Sequence, residues 1–218
     1  MKKAVIFDMD GLMIDSERVT YVVYDEVMRK MGYDYSLEFY KLSLGHAKAQ
    51  EMQLYHEVYG DDFPEDEFWE KSHEILDAKL FANVPLKPGI IELLQYLKAN
   101  HYKTMVATSS ERERVDIILK NGGLDSYFDD VICGNEVSNS KPDPEIFLTA
   151  CKKLNVDTSE AIVLEDSEHG IMAAYNANID CICIPDMKYP GLAYADKPIR
   201  ILNSLHDVID YLKGEKND

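Results

Sequence analysis

Short runs of apolar residues recur along the chain, and polar or turn-forming residues bound each of them. Runs of this length that are rich in Val and Ile predict strands buried on both faces. The runs are Ala4–Phe7, Thr104–Ala107, Val131–Cys133, Ala161–Leu164 and Cys181–Ile184. Between them lie segments with apolar residues at helical spacing. This alternation predicts an α/β fold, in which helices cover both faces of a parallel sheet.

One interval between predicted strands is too long for a single crossover, since it runs from Asp8 to Lys103. Within it, apolar residues recur every fourth position from Val19 to Met31, and a second helical stripe begins at Phe68. We therefore predict an inserted α-helical cap domain, residues 16–83, on a core made of residues 1–15 and 84–218. The chain passes between the two twice, which predicts a hinge there.

The charge balance excludes several classes of function. Lys and Arg total 23 and Asp and Glu total 40, giving a net charge of −17. Such a surface repels a phosphate backbone, so we expect no nucleic-acid partner. No apolar run has membrane length and the first residues do not resemble a signal peptide, so we expect no membrane contact and a cytoplasmic location. We expect a monomer or a weak dimer.

Polar side chains follow the predicted strands at the edge where ligands bind in open parallel sheets. Two acids follow the first run, hydroxyl residues follow the second, two more acids follow the fourth, and a lysine precedes the helix that begins near "PDPEIF". These residues are Asp8, Asp10, Thr108, Ser109, Lys141, Glu165 and Asp166. Four carboxylates in one cleft repel one another unless a cation lies among them. An all-oxygen ligand set without His or Cys favours Mg²⁺.

Each of these segments alone also has a purely structural explanation, as a turn or a helix cap. Together, "DMDG", "VATSS", "SKPDPEIF" and "IVLEDSEHG" resemble, in order and spacing, the four motifs of the haloacid dehalogenase-like hydrolase superfamily. The inserted helical cap resembles the subfamily of β-phosphoglucomutase and many small phosphatases. The resemblance covers the whole chain and implies a Rossmann-like core.

The resemblance also implies a role for each site residue. Asp8 is expected to be the nucleophile that forms an aspartyl-phosphate, and Asp10 the general acid and base, which calls for a raised pKa. Thr108, the Ser109 backbone N–H and Lys141 are expected to hold the phosphate group. The implied Mg²⁺ ligands are Asp8, the backbone carbonyl of Asp10, Asp166 and Glu165, the last as a ligand or as a neighbour of the ligands. In the cap segment "LGHAK", His46 and Lys48 are candidates for substrate contact, with a surface loop as the alternative.

The resemblance implies a Mg²⁺-dependent phosphatase acting on small phosphorylated metabolites such as sugar phosphates. A β-phosphoglucomutase-like phosphomutase is the alternative, but Thr20 stands where the mutase has a histidine, and Lys48 where it has an arginine. A non-catalytic, receiver-like signalling module is an alternative of another class, although a receiver has its phosphorylated Asp after a later strand and no cap. Dehalogenation needs neither Mg²⁺ nor Asp10.

Overall fold

The predicted strands form one sheet in which every neighbouring pair is parallel. The computed structural model describes residues 2–44 and 48–215. Its strands are β1 Ala4–Phe7, β2 Lys103–Ala107, β3 Asp130–Ile132, β4 Ala161–Glu165, β5 Asp180–Cys183 and β6 Arg200–Ile201. Their order across the sheet is β3-β2-β1-β4-β5-β6. The prediction of an α/β fold with a parallel sheet is confirmed, and β6 is an addition to it.

Helices follow most of the strands, and further helices fill the long interval after β1. In the core they are α5 Ile90–Ala99, α6 Arg112–Asn121, α7 Glu145–Leu154, α8 Glu168–Asn176 and α9 Leu205–Glu215. In the interval they are α1 Ser16–Lys30, α2 Leu37–Ser43, α3 Lys48–Tyr59 and α4 Glu65–Ala82. None of the helices described in residues 2–44 and 48–215 is both long enough and apolar enough to span a membrane.

The sheet buries both of its faces, which explains why its strands are continuously apolar. Successive side chains of a strand point to opposite faces. Accordingly, Val5 and Phe7 of β1 belong to the apolar cluster that includes residues of α5, α6 and α9. Ala4 and Ile6 belong to the cluster on the other face, with residues of α7 and α8. All four β1 residues are fully buried, so β1 forms the centre of the core.

Helices α1 to α4 share an apolar cluster of their own that is rich in aromatic residues. Its members include Tyr24, Tyr55 and Phe68, whose rings pack edge-on or tilted at centroid distances of 5.0 to 5.2 Å. Two segments connect this cap to the core, and they are hydrogen bonded to each other. The Asp15 N–H donates to the Pro85 carbonyl at 2.7 Å, next to a bridge between the two segments. The cap boundaries at residues 16 and 83 stay a prediction.

Strand order places a crevice beside β1. The chain moves from β1 to β2 and β3 on one side, and returns to the other side of β1 with β4 and β5. A crevice opens outside the carboxyl ends of the strands where the order reverses, and ligands bind there in open α/β sheets. The crevice between β1 and β4 is therefore the expected position of a site.

Candidate active site

Asp8 lies at the carboxyl end of β1, at the reversal point of the sheet. Phe7 pairs in register with Val106 of β2 and with Leu164 of β4. The Asp8 N–H continues the ladder by donating to the Leu164 carbonyl at 3.0 Å. Only 8% of the Asp8 surface is exposed, so water screens its charge poorly. Asp8 is therefore a fixed, buried carboxyl group between the ends of β2 and β4.

Lys141 reaches this edge from the segment that precedes α7. Its Nζ donates to Asp8 Oδ1 at 2.6 Å, to Glu165 Oε1 at 2.7 Å and to the Ala107 carbonyl at 3.1 Å. These contacts use all three hydrogen atoms of the ammonium group. The Lys141–Pro142 peptide bond is cis. Asp8 follows β1, Ala107 is the last residue of β2, and Glu165 is the last residue of β4. Lys141 therefore connects the ends of three neighbouring strands at the predicted edge of the sheet.

Glu165, the last residue of β4, is fully buried and has both carboxylate oxygens in use. Oε2 accepts hydrogen bonds from the Asp166 N–H, the Ser167 N–H and the Ser167 hydroxyl, each at 3.0 Å. Oε1 accepts the bond from Lys141. Gly170 of α8 packs directly against this side chain, since a Cβ at that position would lie 1.7 Å from Oε1. Glu165 thus holds both the lysine and the loop that carries Asp166.

Three of the predicted ligand carboxylates come together here. Asp8, Glu165 and Asp166 each offer an oxygen that lies within 4.8 Å of the other two. Gly11 allows this approach, because it has φ +79° and a Cβ there would lie 2.2 Å from Asp166 Oδ2. Only glycine combines that left-handed backbone with so close a neighbour.

The electrostatics of this cluster fit a bound cation. Burial raises the pKa of Asp8 and of Asp166 above the ordinary aspartate range, and the charge of Glu165 adds to both rises. Lys141 opposes the rise at Asp8. Burial alone would lower the pKa of Lys141, but Asp8 and Glu165 raise it. One lysine therefore faces three carboxylates, and a hard divalent cation with oxygen ligands would supply the missing positive charge.

A different cation holds Asp10. Arg114 of α6 donates from Nη1 to Asp10 Oδ2 at 3.0 Å and from Nη2 to Oδ1 at 3.1 Å. The Ser110 hydroxyl donates to Oδ2 at 2.8 Å. Burial alone would raise the pKa of Asp10, but Arg114 and Ser110 lower it below the ordinary value. The expectation of a raised pKa is wrong for this arrangement, because it did not include the guanidinium group of Arg114.

Thr108 and Ser109 follow β2 at the same edge. Thr108 is buried, and its Oγ1 accepts a hydrogen bond from the Ser110 N–H at 3.1 Å. Gly134 packs against the backbone here, since a Cβ on it would lie 2.2 Å from the Ser109 carbonyl oxygen. The turn is thus fixed between β2 and the segment after β3. Phosphate contacts from the Thr108 hydroxyl and the Ser109 N–H stay predictions.

Acidic and aromatic side chains of the cap line a cavity of about 240 Å³. Glu17 of α1 accepts a hydrogen bond from the Tyr40 hydroxyl, and burial raises the pKa of Glu17 to about 7. Burial also raises the pKa of Glu51, in α3, to about 7. Glu17 lines a neighbouring pocket as well, which Asp166 shares. Of the described side chains around the 240 Å³ cavity, none carries a positive charge.

The two candidate cap residues cannot be placed. His46 lies outside the described residues, and so does the side chain of Lys48. Sequence analysis missed three residues that the structure brings into the site region, which are Glu17, Arg114 and Gly170. A signal for Arg114 was present, because it lies in the first turn of the helix that begins shortly after the site residues Thr108 and Ser109. A glycine inside a helical segment, as at position 170, also indicates close packing.

Residues 5–184 match the family model described as haloacid dehalogenase-like hydrolase. The chain is 31% identical to a phosphorylated carbohydrates phosphatase of Thermotoga maritima, over 95% of this chain and 100% of that protein. It is 32% identical to a validoxylamine A 7′-phosphate phosphatase of Streptomyces hygroscopicus subsp. limoneus, over 84% of this chain and 85% of that protein. The chain belongs to the haloacid dehalogenase-like hydrolase family. The predicted family and the predicted enzyme class, a phosphoric monoester hydrolase, are confirmed.

The fold is similar to that of a solved β-phosphoglucomutase from Clostridium difficile. The two chains superpose with a TM-score of 0.76 at 25% identity, covering 100% of this chain and 98% of the other. This likeness spans the sheet and the inserted helices together. The predicted Rossmann-like fold and the predicted likeness to the β-phosphoglucomutase subfamily are confirmed.

Proposed function

We propose that this chain is a Mg²⁺-dependent phosphatase that hydrolyses phosphate monoesters of small hydroxyl-bearing molecules, such as sugar phosphates, through an aspartyl-phosphate on Asp8. The observation that carries the proposal is the contact of Asp8 with Lys141 at the reversal point of the sheet, beside Asp166. The named phosphatases among the relatives support the choice of reaction.

Asp8 suits the role of nucleophile because it is buried, fixed and paired with a cation. An oxygen of Asp8 attacks the phosphorus while the bond to the leaving alcohol breaks. Asp10 must first take up a proton against the effect of Arg114 on its pKa. It then donates this proton to the leaving alcohol, and later takes one from the water that attacks the aspartyl-phosphate. This second attack releases phosphate and restores Asp8. Lys141 offsets the charge of the incoming phosphate, with the Thr108 hydroxyl and the Ser109 N–H as further donors.

Asp8 and Asp166 would hold Mg²⁺ together with the backbone carbonyl of Asp10. When bound, this ion supplies the positive charge that phosphoryl transfer requires near the transferring oxygens. Glu165 has both oxygens engaged by Lys141 and by the loop after β4. We therefore infer that Glu165 fixes Lys141 and Asp166 rather than binding the ion itself.

The cap favours hydrolysis over transfer between two positions of a sugar phosphate. A phosphomutase must hold a second phosphate group, and the described residues around the cap cavity include Glu17 and Glu51 without a cation to balance them. The Thr20 hydroxyl donates to the Ser16 carbonyl of its own helix at 2.9 Å, so its hydrogen is already in use. The likeness to a β-phosphoglucomutase keeps the mutase as a second candidate.

The test is an assay of the purified protein with Mg²⁺ and a panel of phosphate monoesters. The panel includes glucose 1-phosphate with a trace of the bisphosphate, and both free phosphate and glucose 6-phosphate are followed. Asp8→Asn and EDTA should each abolish phosphate release, whereas Asp125→Asn, an exposed control, should not. Glucose 6-phosphate formation without phosphate release would establish the mutase. No turnover, with wild type equal to Asp8→Asn, would contradict both and favour a binding role.

The remaining expectations follow from this function. A small phosphorylated metabolite is the proposed partner, and a cytoplasmic location is proposed because such metabolites are found there. The absence of nucleic-acid partners stays a prediction from the acidic charge, and the monomer or weak dimer stays a prediction as well.

A further inference from the structure

Arg114 of α6 contacts the core and the cap through one guanidinium group. Its two terminal nitrogens form the bidentate contact with Asp10 at 3.0 and 3.1 Å. Its Nε donates to Asp77 Oδ1 at 3.3 Å, and Asp77 belongs to helix α4 of the cap. Nη1 also donates a hydrogen bond to the Ser110 hydroxyl oxygen at 2.7 Å. Arg114 therefore lies between a carboxylate of the proposed reaction and a carboxylate of the cap.

This geometry fixes the orientation of Asp10. A bidentate contact matches both carboxylate oxygens to a planar fork, so it restricts rotation of the carboxyl group as well as its position. The side chains of Arg114 and Asp10 are 21% and 26% exposed, so water screens the pair only in part. Proton transfer to a leaving group depends steeply on such alignment.

We propose that Arg114 is the positioning residue for Asp10, and that Asp77 links its orientation to the position of the cap. The inference rests on the proposed function, since it concerns the proton-transfer step of that reaction. Asp77 orients the guanidinium plane from the Nε side, while Asp10 occupies the opposite edge. A displacement of α4 relative to the core would therefore act on Asp10 through Arg114. The alternative is an ion pair that only holds α4 against α6.

The two explanations differ in how activity depends on the leaving group. An alkoxide leaving group needs a proton from Asp10, whereas the leaving groups of acetyl phosphate and p-nitrophenyl phosphate depart without one. The quantity to compare is kcat/KM, because it reports the steps up to formation of the aspartyl-phosphate and leaves the later attack of water out. The variants are Arg114→Lys, which keeps the charge but not the fork, and Asp77→Asn.

For Arg114→Lys we expect kcat/KM for the best sugar phosphate of the panel to fall by roughly 10- to 100-fold. For acetyl phosphate and p-nitrophenyl phosphate we expect a change of less than about threefold, because no proton is needed. Asp77→Asn should show the same selectivity with a smaller loss, and the double variant should be no worse than Arg114→Lys alone. Arg112→Lys, on the same helix but facing Glu136, is the matched control and should leave kcat/KM for all three substrates unchanged.

Equal losses with all substrates, accompanied by a lower melting temperature, would show that the ion pair is only structural and would overturn the proposal. Unchanged kcat/KM in Arg114→Lys would overturn it as well. A selective loss in Arg114→Lys with none in Asp77→Asn would overturn the link to the cap. These outcomes differ from failure of the proposed function, which would appear as wild-type activity that Asp8→Asn does not abolish.

Discussion

Replacing Glu165 by glutamine should destabilise the protein, although the side chain keeps its shape. The carboxylate accepts hydrogen bonds at both oxygens, from Lys141 on one side and from the Asp166 and Ser167 groups on the other. An amide has only one acceptor oxygen, so its NH₂ group must face either the lysine or the backbone donors. At least one charge-assisted hydrogen bond is lost, which costs about 1.5–3 kcal/mol of stability. In addition, the NH₂ group of the glutamine then faces another hydrogen-bond donor.

We expect Glu165→Gln to lower the free energy of unfolding by about 2–4 kcal/mol, since the side chain is completely buried and cannot turn to water. The measurement is urea unfolding followed by circular dichroism, with the urea dependence of the free energy compared between variants. Glu74→Gln, an exposed glutamate of α4, makes the same chemical change and should lie within about 0.5 kcal/mol of wild type. We also expect a lower kcat, because the bond from Lys141 to residue 165 is either lost or no longer made to a charged acceptor.

The reasoning is refuted if Glu165→Gln stays within about 0.5 kcal/mol of wild type at an unchanged urea dependence. That result would mean that the loop after β4 is held by other contacts. Reduced stability with an unchanged kcat would show that Glu165 supports the fold but does not set the position of Lys141.

Three further predictions concern the stability of the protein. Gly170→Ala should lower the melting temperature because its Cβ would meet Glu165 Oε1 at 1.7 Å, whereas Gly214→Ala, with no atom within 4 Å, should not. Burial raises the pKa of Glu17 from 4.5 to about 7, so the folded state retains a proton in that range and stability is lost as pH rises through it. The stability advantage of Glu17→Gln over wild type, measured by urea unfolding, should therefore be larger at about pH 8 than at about pH 5. Adding Mg²⁺ should stabilise wild type by up to about 2.7 kcal/mol at about 100 times Kd, and a thermal shift of the same size in Asp166→Asn would contradict the proposed ligand.

The sheet could be predicted because its strands are buried on both faces. Such strands appear in the sequence as continuous apolar runs, and the parallel order then brings their carboxyl ends to one edge. Strand β6 could not be predicted, because two residues, Arg200 and Ile201, are too few to form a pattern. The long interval after β1 indicated inserted helices, but it did not show that their cluster would consist so largely of aromatic rings.

Which charged groups of the site pair with each other was harder to predict than which residues form the site. The sequence indicated that several acids and one lysine meet at the sheet edge, and a cation was expected to balance all of them. Arg114 is 104 positions from Asp10, and in "ERERV" it resembles a solvated helix residue. Its contact removes Asp10 from that balance and leaves Asp8 and Asp166 as the carboxylates without a full counter-charge.

This division of charge accounts for two carboxylates placed only two residues apart. Burial and Glu165 raise the pKa of Asp8, while Arg114 and Ser110 lower that of Asp10. In the proposed reaction, the ionised state of Asp10 suits the second step, in which Asp10 accepts a proton from water, whereas the first step requires Asp10 to take up a proton beside Arg114. The difference between the two pKa values comes from separate partners, since Lys141 precedes α7 and Arg114 lies in α6. Because the protein itself neutralises the second acid, the proposed metal ion would need to balance only Asp8 and Asp166.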